Sequence, residues 1–88
     1  MKNNILEINS LAKEVIKLKK LKKNIVLCHG VFDLIHIGHI KYFRSAKKFG
    51  DILIVTITAD KFINKGNDRP YFNEKTRLDL LSSIKEID

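Results

Sequence analysis

The 88 residues include no tryptophan, one cysteine, one methionine and one proline. Each scarcity excludes something. A lone Cys28 cannot form an internal disulfide, and its place in an apolar stretch suits a reducing compartment, so a cytoplasmic location is expected. No apolar run approaches the roughly 20 residues that a membrane-spanning helix needs. The opening segment, MKNNILEINS, lacks both the long apolar stretch and the small-residue cleavage pattern of a secretory signal. Acidic residues are also few, 10 against 17 Lys and Arg, for a formal charge of +7. Such a balance raises the question of nucleic acid. Much of the excess, however, lies in one stretch: Lys13, Lys17, Lys19, Lys20, Lys22 and Lys23. A helix that turns its lysines to water accounts for these. Nucleic acid is therefore not the expected partner, and the reading left open is a smaller anion such as a phosphorylated metabolite. The apolar fraction, 44%, is that of an ordinary globular chain.

What is present is a pattern of alternating helices and strands. Residues 10–22 place Leu11, Val15, Leu18 and Leu21 at helical spacing, with Asn9 or Ser10 as cap and an apolar stripe for the core. Residues 24–28, NIVLC, are short, β-branched and apolar, which favours a buried strand. From residue 39 a second helix carries Ile40, Phe43 and Ala46 on one face and is closed by Gly50. DILIVTITAD, residues 51–60, is a continuous apolar run of the kind found in parallel strands covered on both faces. Residues 64–73 read as a loop. Asn73 then caps a third helix with Leu78, Leu81 and Ile84 on its pattern. Strand, helix, strand in this order is a βαβ unit. The expected class is α/β: a Rossmann-like, doubly wound parallel sheet, of which these residues form the N-terminal part, with an extra amphipathic helix in front. The division is 1–23 for the basic helix and 24–88 for the domain. Two strands rarely make a stable sheet alone, so further strands or a partner are expected to complete it.

The turn between the first strand and second helix, GVFDLIHIGHI, carries the chemistry. Ligands of open α/β sheets bind beyond the carboxyl ends of the strands. A helix N-terminus there offers unpaired N–H groups and partial positive charge, which suits an anion. Gly30 and Gly38 let a phosphate approach the backbone. His36 and His39, three apart on a first helical turn, can aim at one phosphate. Paired imidazoles of this kind would stabilise charge on a phosphoryl group during in-line displacement. Other readings stand beside this one. The two histidines could ligate zinc with His29, although no Cys pair or Glu accompanies them at metal spacing. They could also simply open a helix. Asp33 could cap a turn or hold backbone N–H groups of a phosphate loop. Lys61, Lys65 and Arg69 could be plain surface charge, and Arg77 could pair with Glu74 or Asn73.

The segments GVFDLIHIGHIKYFRSAKKFGDILIVTITAD and RPYFNEKTRLDLLSSIKEID together resemble the N-terminal half of the cytidylyltransferase-like nucleotidylyltransferases. They are similar in particular to heptose-phosphate adenylyltransferases and glycerol-3-phosphate cytidylyltransferases. The resemblance runs from about Ile25 to Asp88 and includes that family's Glu-x-x-Arg helix, here Glu74 to Arg77. It implies nucleotidyl transfer from CTP or ATP to a phosphorylated or phosphonylated small molecule, with release of pyrophosphate. Gly30, Val31, Phe32 and Asp33 would face the triphosphate. His36, Gly38 and His39 would meet the α-phosphate, and the two histidines would be catalytic. Lys65 matches a phosphate-binding lysine, Arg77 an arginine that reaches substrate or triphosphate, and Asp60 a residue near the nucleotide. Mg²⁺ would accompany the triphosphate, with no protein metal site implied, and a homodimer is the expected assembly. The family's domain normally continues to a Ser/Thr-rich motif that contacts base and phosphates, and that motif is absent from these 88 residues. Residues 36–39 also read as the His-Ile-Gly-His of class I aminoacyl-tRNA synthetases, but no Lys-Met-Ser-Lys-Ser-like loop is present. A non-catalytic basic binding module is the alternative from another class.

Overall fold

Two segments, β1 (Ile25–Gly30) and β2 (Ile52–Ile57), lie side by side as parallel strands in a computed structural model of the chain, which describes residues 4–63 and 70–88. Their register pairs Ile25 with Ile52 and continues to Gly30 with Ile57. The connection is α2 (Ile37–Lys47), so the expected βαβ unit is present. Before it comes α1 (Ile8–Lys20), and after it a short 3₁₀ turn (Asp60–Phe62) and α3 (Glu74–Ser82).

The core gathers on one side of the strands. Phe43 of α2 and Leu53 of β2 are fully buried, and Cys28, Ala46, Leu81, Ile84 and Ile87 join them. Removing a side chain of Phe or Leu size from water contributes about 1.5–3 kcal/mol. The β2 run is less enclosed than its composition suggests, since only Leu53 is fully buried there. On β1, Leu27 is 63% exposed.

Helix boundaries differ from the sequence expectation for identifiable reasons. The N-cap of α1 is Glu7, not Asn9 or Ser10, and no side chain caps it. Its apolar stripe does not enter the core: Leu11, Val15 and Leu18 are half-buried and Leu21 is exposed. Leu11 and Leu18 instead line a groove of about 240 Å³ with Ile52, Ile54, Leu78 and Leu81. At its other end the Lys22 and Lys23 amides bond back to Lys19 and Leu18, with Lys22 in the left-handed region at φ 59°. That is a Schellman closure in which lysine stands where glycine is usual. Beyond α2 the C-cap is Lys48, and Gly50 serves a close approach: a Cβ there would lie 2.9 Å from the Asn24 carbonyl oxygen. Finally, α3 stops at Ser82, short of Ile84. The hydroxyls of Ser82 and Ser83 both donate to the Asp79 carbonyl, which competes with helix continuation. Asn73 caps this helix as expected, its Oδ1 accepting from the Thr76 amide at 2.8 Å.

Candidate active site

The start of α2 is built by its own two histidines. His36 is the N-cap, in extended conformation, and its Nδ1 accepts from the Gly38 amide at 2.9 Å. In return, His39 Nδ1 accepts from the His36 amide at 3.2 Å. This is a reciprocal capping box made with imidazoles in place of the usual hydroxyl and carboxamide. It has a chemical consequence. A ring nitrogen that accepts carries no proton, so each neutral ring holds its proton on Nε2. Neither Nε2 has a hydrogen-bond partner among the described residues. The ring centroids lie 4.3 Å apart with planes inclined by 55°. Two N–H donors therefore stand free, side by side, at the positive end of a helix.

Burial, and next the neighbouring His36, lower the pKa of His39 from its ordinary value. The neutral, donating form is the one the fold favours.

The two glycines do not leave open backbone. A Cβ on Gly38 would lie 2.6 Å from His36 Cε1, and one on Gly30 would lie 2.9 Å from the Phe32 ring. Both positions are small so that the site's own rings can fold over them. Phe32 has φ 50° and packs edge-on against His39 and tilted against Phe43. Asp33 reaches across to the segment before α3. Its carboxylate accepts from the Tyr71 and Phe72 amides, each at 2.7 Å.

Arg77 is held at the base of the site. Its side chain is completely buried. It donates to the carbonyls of Val31, Thr58 and Phe72 at 2.7–3.1 Å and to the Asp60 carboxylate at 2.6 Å. It ties three chain segments together, because a planar guanidinium can serve several acceptors at once. Asp60 is committed to the same knot: it pairs with Arg77, its carboxylate accepts from the Glu74 amide and its amide donates to the Glu74 carboxylate, each at 3.1 Å. The pairing of Arg77 with Glu74 or Asn73 is thus replaced by one with Asp60. Lys65 and Arg69 lie outside the described residues.

His29 sits on β1 against the hydroxyls of Thr56 and Thr58, and no group of three His, Cys, Asp or Glu among the described residues could hold a metal.

The cytidylyltransferase-like family model matches residues 27–88, which hold the strand, the histidine turn and the Arg77 helix alike. The chain belongs to the cytidylyltransferase-like family. It is 40% identical over 84 residues to the bifunctional protein HldE of Aliarcobacter butzleri, covering 93% of this chain and 17% of that protein. It is 46% identical over 63 residues to the FAD synthase of Thermoplasma acidophilum, covering 72% of this chain and 44% of that one. The chain therefore spans less than half the length of these relatives. Among solved structures, a lipopolysaccharide core biosynthesis protein from Thermoplasma volcanium superposes with a TM-score of 0.69 at 39% identity, over 75% of this chain and 54% of the other. The family's Rossmann-like α/β fold is thus present here in its β1–α2–β2 unit.

Two features of the site escaped the sequence. The reciprocal cap was within reach, since positions three apart at a helix start are the capping-box spacing. The grip of Asp33 on residues 71 and 72 was not, because nothing local couples positions 38 and 39 apart.

Proposed function

We propose that the chain carries the phosphate-handling part of a nucleotidyl-transfer site that uses CTP or ATP and a phosphorylated or phosphonylated small molecule. A phosphate oxygen of the acceptor attacks the α-phosphorus. The bond from that phosphorus to the oxygen bridging to the β-phosphate breaks, and pyrophosphate leaves with the electron pair. His36 and His39 present Nε2–H donors to the α-phosphate oxygens, whose charge grows as the fifth bond forms. The observation that carries this reading is the commitment of both Nδ1 atoms to the backbone, which leaves both Nε2–H groups free and adjacent. No protein nucleophile is required, because the acceptor supplies its own oxygen.

The relatives support this chemistry. FAD, the product in the name of one of them, is two nucleotide halves joined through a pyrophosphate. Gly30, Val31, Phe32 and Asp33 form the loop beneath the triphosphate, and Lys65 belongs to its phosphate contacts. Mg²⁺ enters with the triphosphate as its counter-ion. Among the described residues, the carboxylates of Asp33 and Asp60 already serve backbone amides and Arg77. Mg²⁺ also commonly relies on substrate phosphates and water. The proposal includes a cytoplasmic location and a homodimeric assembly.

A thermal-shift series with CTP, ATP and GTP, each with Mg²⁺, tests the reading. A ligand that binds only the folded state raises the melting temperature by mass action. The expected result is a shift with CTP or ATP that His36→Ala and His39→Ala diminish, and pyrophosphate release lowered roughly 100-fold or more in either variant. Salt-sensitive binding of RNA or DNA with no nucleotide shift would overturn it in favour of a basic binding module.

A further inference from the structure

Phe32 and Lys22 are the non-glycine residues with positive φ among those described. The helix closure explains Lys22. Phe32 has no such turn around it. A bulky residue in this region is strained and persists only where its surroundings over-determine it.

Those surroundings can be named. On one side of Phe32, the Val31 carbonyl accepts from Arg77 Nη1 at 2.9 Å. On the other, Asp33 grips the amides of Tyr71 and Phe72. Both anchors meet in the segment that opens α3, since Arg77 Nε also donates to the Phe72 carbonyl at 3.1 Å. Residues 31 and 33 are therefore pinned to one rigid point, and the backbone between them is held in its left-handed turn. The Phe32 ring then lies over Gly30 and meets His39 edge-on, with centroids 5.8 Å apart and planes at 80°. Phe43, fully buried, backs it at 5.2 Å.

We infer that Asp33 and Arg77 are positioning residues that act through Phe32: they hold its backbone, its ring sets the plane of His39, and His39 in turn fixes the backbone of His36. None of the three touches a reacting atom. Their effect is the alignment of the two Nε2–H donors. The inference rests on the nucleotidyl-transfer reading for its consequence in turnover, but not for its test, which observes the rings themselves.

The test uses the ¹⁵N-labelled 88-residue chain without ligand. Long-range ¹H–¹⁵N correlations of the imidazoles report which nitrogen carries the proton, and a pH titration reports each ring's environment. In the natural chain, both histidines show protonated Nε2 and accepting Nδ1, with a nuclear Overhauser contact between the Phe32 and His39 rings. Phe32→Leu keeps apolar bulk but removes the ring. It should mix the His39 tautomers and move the ring's titration up toward the ordinary imidazole value, with β1 and β2 amide signals retained. Asp33→Ala should shift His39 in the same sense, and Asp33→Asn, which keeps one acceptor oxygen, should do so less. Unchanged tautomers and titration in folded Phe32→Leu would overturn the inference. If that variant does not fold, the natural chain decides: absence of the Phe32–His39 contact, or a negative φ at Phe32 from backbone couplings, overturns it equally. Ring changes as expected, with no nucleotide shift in the melting series, would sink the transfer reading alone.

Discussion

Two clusters sit side by side at the carboxyl ends of the strands, and they use their polar atoms in opposite ways. In the histidine turn, each ring commits one nitrogen to the backbone and leaves the other free. In the knot around Arg77, a fully buried guanidinium is engaged by three carbonyls and a carboxylate. Both read in the sequence as ligand-facing groups. The structure separates them by what remains unpaired. A donor already satisfied by the protein holds the fold; a donor left free at a helix start can act on a ligand. The second cluster is also the support of the first, since Val31 is held by Arg77 and leads directly into the turn.

The contrast can be broken most sharply at Arg77. Arg77→Leu would leave Asp60 and the carbonyls of Val31, Thr58 and Phe72 without their donor. The Asp60 side chain is partly exposed, so the loss falls below the roughly 3–5 kcal/mol of a fully buried pair. In so small a chain, urea denaturation should show loss of the cooperative transition or a greatly lowered midpoint. Arg77→Lys, which keeps the charge but not the fork, should recover only part. A midpoint that scarcely moves with Arg77→Leu would mean that the knot is not the anchor described.

A smaller effect should come from pH and should fall on the histidine turn alone. The folded-state pKa of His39 lies below its unfolded value of about 6.5. The unfolded chain then binds more protons in the window between the two values, so stability rises with pH there. The contribution is complete above about 6.5 and is lost as pH falls through the folded value. Protonating Nδ1 also removes the acceptor for the His36 amide. Urea midpoints at successive pH values should fall on acidification through this window, and His39→Gln should flatten the response. A response unchanged in that variant would place the titrating group elsewhere.

The smallest effect is a control on backbone strain. Lys22→Gly relieves a left-handed residue far from the site and should raise stability by under about 1 kcal/mol. The His36 and His39 signals should not move. If they do, the two regions are not as independent as their geometry indicates.

Much of this was legible from short-range pattern. The βαβ order, the Asn73 cap and the placing of His36 and His39 at a helix start all follow from spacing within a few residues. The outcome for α1 was not. Its stripe of Leu11, Val15 and Leu18 reads as a core face, yet helical periodicity states only that one side is apolar, not how closely another surface meets it. The same limit applies to β2, whose unbroken apolar run is half-buried because burial depends on the neighbours supplied. Arg77 shows the limit for charge. An arginine on an α3 face that could meet a ligand and one that closes a buried knot have the same local sequence, and the acceptors that distinguish them lie up to 46 residues away.

By itself, the sequence determined the alternation of elements and the presence of paired imidazoles at the mouth of the first crossover, because hydrophobic period and helix capping act over one or two turns. Only the tertiary structure decided which nitrogen of each ring is free, which charged residues are tied to the backbone, and why Phe32 adopts a left-handed turn. Those depend on hydrogen bonds between segments tens of residues apart, whose geometry exists only once the chain has folded.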